Sequence, residues 1–216
     1  MTLIILRYLS RRLRALAWVG LLLAGTSTPT VSQASLQSIL VLGDSISAAY
    51  GMSLEEGWVA LLQNRLQAEG VSYTVVNASI SGDTSAGGLR RLPALLAAHT
   101  PRIVVIELGG NDGLRGYPIS QLTQNLQRMI QLSESVGAIA VILPMEIPPN
   151  LGKFYTDAFR NSFAKAAENT DALVGDFPLE SVALNPTLMQ ADGIHPTADA
   201  QPLIMESVWQ VLESIL

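Results

Sequence analysis

Ser45 closes the tripeptide Gly43-Asp44-Ser45, directly behind four consecutive apolar residues, Ile39 to Leu42. A hydroxyl at the end of a buried strand is a candidate nucleophile. Serine is a weak one unaided: it needs a base, a group that orients the base, and donors for a developing oxyanion. The same serine would also suit a helix cap. The chain has two histidines. His99 precedes Thr100-Pro101 and the next apolar run, which places it at the amino end of the coming strand, where a solvated helix-end histidine is favoured. His195 lies in Asp192-Gly193-Ile194-His195-Pro196, ahead of the last helical stretch, and a loop there can return to the rim that carries Ser45. Across one turn the Asp192 carboxylate can reach the imidazole Nδ1–H, fix the tautomer and leave Nε2 for the serine. A turn aspartate before Gly193 and a helix-start histidine before Pro196 are the structural alternatives.

Three donors are candidates for the oxyanion: the Ser45 main-chain N–H, the Gly82 main-chain N–H and the Asn111 side-chain amide. Glycine at 82 lets the backbone approach closely, and asparagine brings an NH₂ without a charge. Asp44 and Asp83 border the same loops and read as structural, accepting loop N–H groups. A phosphoacceptor role for Asp44 would require acidic neighbours and a rim lysine, and Lys153 and Lys165 fall on a helical stretch instead.

These residues need a scaffold that gathers them. Five short apolar runs read as strands: 38–42, 73–78, 103–108, 138–143 and 172–174. Between them, stretches 58–67, 89–98, 119–136, 155–168 and 199–216 carry apolar residues at helical spacing. Alternation at this pitch predicts a three-layer α/β fold, a five-stranded parallel sheet with helices on both faces. The segments behind successive runs are small and polar: Gly43-Asp44-Ser45, Ser79 to Asp83, and Gly109 to Asp112. They would collect on one edge, the carboxyl edge, where such sheets bind ligands.

The 216 residues include no cysteine, which excludes disulfides and thiolate metal sites. Arg7, Arg11, Arg12 and Arg14 precede an apolar run, Ala15 to Gly25, too short to span a bilayer comfortably. With Val31-Ser32-Gln33-Ala34 behind it, residues 1–34 read as a signal peptide cleaved after Ala34, leaving a single exported domain, 35–216. Loss of those four arginines leaves nine basic residues against 18 acidic ones, a net charge of −9. That balance argues against nucleic acid or an anionic membrane as the main partner. No stable membrane insertion is expected once the leader is removed.

Taken together, Gly43-Asp44-Ser45, Gly82, Gly109-Gly110-Asn111-Asp112 and Asp192-Gly193-Ile194-His195-Pro196 resemble the GDSL/SGNH hydrolase family, in order and over nearly the whole mature chain. Asn111-Asp112-Gly113-Leu114-Arg115-Gly116 is most similar to the bacterial periplasmic thioesterase I / lysophospholipase L1 / arylesterase group. Ile46 stands where the family name has leucine, a volume-conserving change. The resemblance implies a flavodoxin-like (SGNH hydrolase) fold, no metal or cofactor, a monomer, and a small acyl ester or thioester as substrate. It implies Ser45 as nucleophile, His195 as base, Asp192 as its orienter, and Ser45, Gly82 and Asn111 as oxyanion hole. Leu114 and Tyr117, with Met145, Ile147 and Pro148 opposite, are expected to line an acyl groove, and glycines in 113–118 to hinge a lid or simply shape a surface loop. The competing readings are an exported carbohydrate acetylesterase of the same family and a non-catalytic flavodoxin-like binding domain. The few aromatics near the rim, Tyr50, Tyr117 and Phe154, offer little platform for a sugar.

Overall fold

A computed structural model describes residues 37–216. The expected leader, 1–34, lies outside them. Five parallel strands, β1 (Gln37–Gly43), β2 (Tyr73–Asn77), β3 (Ile103–Glu107), β4 (Ile139–Ile142) and β5 (Leu173–Val174), form one sheet in the order β2-β1-β3-β4-β5. Among the described residues six α-helices accompany them: α1 (Trp58–Ala68), α2 (Ser85–His99), the short α3 (Gly110–Leu114), α4 (Ile119–Ser135), α5 (Lys153–Ala167) and α6 (Gln201–Leu212).

The strands read as unbroken apolar runs because both sheet faces are covered. Alternate residues serve the two sides. Leu40, Leu42, Val104, Ile106, Ala140 and Ile142 pack under Leu92 and Leu96 of α2, Leu126 and Met129 of α4, and Phe159 and Phe163 of α5. Ile39, Val41, Ile103, Val105 and Val141 pack under Trp58, Leu62 and Leu66 of α1 and Ile204, Val208 and Leu212 of α6. The Trp58 N–H, unsatisfied at the start of α1, donates to the Oε1 of the fully buried Gln201 at 3.0 Å, which ties the first helix to the last. Edge strand β2 is covered by a side chain: Gln63 of α1 accepts from the Val75 N–H (2.8 Å) and donates to the Tyr73 carbonyl (3.3 Å). One amide thus occupies ladder positions that another chain would otherwise fill.

Three elements depart from the sequence reading; one is α6, which spans Gln201–Leu212 where the spacing predicts 199–216. Helix α2 begins at Ser85, four residues before the expected Leu89. Thr84 caps it by accepting the Gly87 N–H at 3.2 Å, and the Gly87-Gly88 pair, which reads as loop, is helix packed close to its surroundings. Residues 110–114, expected as loop, form α3. Gly113 in it is no hinge: a Cβ there would lie 2.7 Å from both Ile147 Cγ2 and Phe159 Cε2, so this glycine exists for close packing.

Gly88 tests how tightly α2 is seated. A Cβ at that position would stand 2.2 Å from Leu108 Cδ1 and 3.5 Å from Leu42 Cδ2. Gly88→Ala is expected to cost about 1–3 kcal/mol, as overpacking does. Urea denaturation would show this as a lower midpoint at unchanged slope.

Candidate active site

Strand β1 ends at Gly43, and the chain turns at once. The Ala48 N–H donates to the Asp44 carbonyl (3.0 Å) and the Tyr50 N–H to the Ser45 carbonyl (3.1 Å), which lifts Ser45 onto the carboxyl edge. Gly43 is required because a Cβ there would lie 2.6 Å from Ser47 Oγ and 2.7 Å from Glu107 Oε2. On the same edge, the loop 188–197 returns from beyond β5 and brings His195 over the turn. His195 Nε2 lies 2.9 Å from Ser45 Oγ, and its Nδ1 lies 2.7 Å from Asp192 Oδ2. Asp192 Oδ1 also accepts the N–H groups of Ile194 (2.9 Å) and His195 (3.0 Å). Bonds from the His195 main chain, the His195 ring and the Ile194 main chain pull the Asp192 carboxyl down to about 2. It is therefore an ionised acceptor, so Nδ1 carries the hydrogen. In the neutral ring Nε2 is then free to accept from the Ser45 hydroxyl. The Tyr50 ring lies against the imidazole, centroids 4.2 Å apart and tilted by 34°.

The candidate oxyanion donors come from three separate segments: the turn after β1, the loop after β2 and α3. Among the described residues, neither the Ser45 N–H nor the Gly82 N–H has a protein acceptor. Gly82 has φ +79°, a conformation that favours glycine. Its loop is braced twice. Arg91 grips Asp83 through Nη2 (2.6 Å) and Nε (3.1 Å) and donates to the Ala78 carbonyl (2.9 Å). The buried Asp112 accepts both the N–H (2.8 Å) and the Oγ–H (2.6 Å) of Ser85. Asp112 follows Asn111, so this bond couples the Gly82 loop to the Asn111 turn. Asn111 Nδ2 gives one hydrogen to Asp44 Oδ2 at 3.1 Å, and its second has no acceptor among the described residues.

Beneath Ser45 lie two carboxyls whose partnership the sequence does not reveal. Glu107, the last residue of β3, is buried and accepts from Ser47 Oγ (2.7 Å) and the Asp44 N–H (3.3 Å). Burial, with the Asp44 charge added, pushes it well above the usual carboxylate range. Burial also pushes Asp44 up to about 6, against the lowering effect of bonds from the Ile46 N–H and Asn111. Burial thus favours the neutral form of Glu107, and Asp44, at about 6, is at neutral pH the ionised acceptor that orients the Asn111 amide. The sequence favours a structural Asp44 over a phosphoacceptor, but it does not reveal the buried Glu107 on the neighbouring strand.

The residues expected to line a groove separate into two groups. Leu114 (40 % exposed), Tyr117 (42 %) and Pro148 stand at the surface. Met145 (7 %) and Ile147 (6 %) do not line an open groove: they belong to the core under α4 and α5. The Met145 sulfur accepts the Gly110 N–H at 3.0 Å, and Ile147 fills the space that Gly113 leaves. The 113–117 segment is held to α5 by Tyr155 Oη, which donates to the Tyr117 carbonyl at 2.9 Å. A depression of about 470 Å³ between α1 and β2, lined by Val59, Gln63, Val75 and Ser79 among others, includes none of Ser45, Asp192 and His195. His99 closes α2, where its carbonyl accepts from Ser38 Oγ (3.1 Å) at the amino end of β1, the opposite edge from Ser45.

A hydroxyl, an imidazole and a carboxylate in one hydrogen-bonded line, beside unpaired N–H groups, is an arrangement for acyl transfer. Residues 41–202 match the GDSL-like Lipase/Acylhydrolase family, and the chain belongs to that family. It is 56 % identical over 185 residues to the Esterase TesA of Pseudomonas aeruginosa, covering 85 % of this chain and 92 % of that one. It is 44 % identical over 187 residues to the Thioesterase 1/protease 1/lysophospholipase L1 of Escherichia coli, covering 87 % and 88 %. A crystal structure of TesA superimposes with a TM-score of 0.80 at 53 % identity, over 83 % of this chain and all of that one.

The buried acid pair makes a pH prediction. Folded Asp44 keeps its proton up to about 6, whereas the ordinary value, 3.8, applies in the unfolded chain. Between the two the folded state binds more protons, so stability from this group is full below the lower value and is lost as pH rises through the upper one. The thermal midpoint of Asp44→Asn, followed from pH 4 to 6.5, is expected to fall less steeply with pH than that of the natural protein. Parallel curves would contradict this account of Asp44.

Proposed function

We propose that the chain is an exported serine hydrolase of carboxylic esters and thioesters, with Ser45 as nucleophile. The single observation that carries this is the continuous contact Ser45 Oγ–His195 Nε2–Asp192, 2.9 Å and 2.7 Å long. As Ser45 Oγ attacks the acyl carbon, its proton passes to His195 Nε2, and Asp192 stabilises the imidazolium. The substrate oxygen, now negative, takes hydrogens from the Ser45 N–H, the Gly82 N–H and the free Asn111 amide hydrogen. Donors fixed before reaction pay no reorganisation when charge develops. Collapse of the intermediate expels the alcohol or thiol, which takes the proton from Nε2. Water then attacks the acyl-serine with the same base and releases the acid.

Alkoxides and thiolates leave more readily than amines, so esters and thioesters are the favoured class. The E. coli relative carries thioesterase and lysophospholipase in its name, and the P. aeruginosa relative esterase. Among the described residues no helix is long and apolar enough to cross a membrane. A leader cleaved after Ala34 would deliver the domain to the periplasm or the medium, and the protein is expected to act as a monomer on small substrates.

Ser45→Ala and His195→Ala are each expected to lower kcat for p-nitrophenyl butyrate by about 10³–10⁶-fold while the thermal midpoint stays near that of the natural protein. Full activity in either would remove the proposal. A p-nitrophenyl ester series from acetate to decanoate tests the groove. Tyr117→Ser and Leu114→Asp should depress kcat/KM for the long esters more than for acetate, and equal loss at every length would exclude these two from acyl binding. Mass spectrometry of the secreted chain should give an amino terminus at Ser35, and retention of residues 1–34 would contradict cleavage.

A further inference from the structure

Asp192 and His195 are neighbours within one loop and need little help to meet. Ser45 and His195 are 150 positions apart and stand on separate loops, so something must hold their relative position. Gln190 occupies the junction. Its main-chain N–H donates to the His195 carbonyl at 2.7 Å, and its own carbonyl accepts the Gly193 N–H at 2.9 Å. Both hydrogens of its side-chain amide are used: Nε2 donates to the Pro196 carbonyl at 2.9 Å and to the Tyr50 carbonyl at 2.8 Å. Tyr50 in turn donates its N–H to the Ser45 carbonyl at 3.1 Å and lays its ring on the imidazole. Among the described residues, this amide supplies the side-chain hydrogen bond, beyond Ser45–His195 itself, that joins the 44–52 turn to the 188–197 loop. The turn is shaped to receive it. Gly51 has φ +77°, and a Cβ there would lie 2.5 Å from Gln190 Oε1.

We propose that Gln190 is a positioning residue, whose amide ties the His195 loop to the Ser45 turn and so holds Nε2 within reach of the serine hydroxyl. It touches neither substrate nor reacting atoms and acts through His195. The proposal rests on the serine-hydrolase reading above. An amide suits the task because two carbonyls must be bridged by two donors at once. A carboxylate has none, and a lysine would set a mobile charge beside the imidazole.

The test is a double-mutant cycle on the mature chain with p-nitrophenyl butyrate. Gln190→Met keeps length and removes both donors; Gln190→Asn keeps the amide but shortens it by one carbon. Each is expected to lower kcat by about tenfold or more, since small displacements of reacting groups cost that much. KM should stay within about twofold, and thermal unfolding should confirm a folded chain. In a His195→Ala background neither substitution should change the residual rate further, because the base it positions is gone. Natural kcat in both single variants would overturn the proposal. So would an equal fractional loss in the His195→Ala background, which would show a general loosening of the site. An active His195→Ala single variant would instead refute the hydrolase reading, whatever Gln190 does.

Discussion

A parallel sheet sends every strand's carboxyl end to one edge, and the rest of this structure depends on that constraint. Three of the loops that matter follow β1, β2 and β3 directly, and the fourth returns after β5. Hydrogen bonding along the ladder fixes their heights: Gly43 stands opposite Glu107, and Val41 opposite Asn77. The strand order β2-β1-β3 then sets the glycine loop, the serine turn and the asparagine helix side by side. Only His195 arrives from a longer connection, and bonds from Gln190 and to Asp192 tether its loop locally.

A second layer refines what the sheet delivers. Asp112 joins the Asn111 turn to the first residue of α2, Arg91 clamps Asp83, and Asp44 aims the Asn111 amide. These are hydrogen bonds to charged groups in partly or wholly buried places, where each is stronger than its surface counterpart. The carboxyl pair Asp44–Glu107 comes at a cost to stability, since burial disfavours both charges. Its position under the nucleophile explains why the cost is tolerated: an ionised Asp44 gives the Asn111 amide one fixed acceptor and so one fixed direction.

Much of this was legible in the chain. The buried strands announce themselves as apolar runs because both faces are covered, and a chain with two histidines offers few candidates for the base. What escaped were features decided by distant partners. Gly87-Gly88 falls outside the apolar stretch that predicts a helix, yet it lies within α2, where Gly88 lets Leu108 approach closely. Met145 and Ile147 stand in a proline-rich rim segment and look like pocket lining, but the missing side chains of Gly110 and Gly113 draw them inward. Glu107 reads as an ordinary strand end and Gln190 as an unremarkable loop residue. Their roles depend on contacts 60 and 140 positions away, which no local pattern encodes.

The central claim is that the hydroxyl at 45 is the atom that takes up the acyl group. Rapid acid quench of the mature chain with p-nitrophenyl butyrate, followed by tandem mass spectrometry, reads this directly. The account predicts a butyryl adduct on the peptide containing Ser45 that forms within the first turnover and decays as substrate is exhausted. An adduct that maps to any other residue, or rapid steady turnover through a chain whose Ser45 is never acylated, would contradict it.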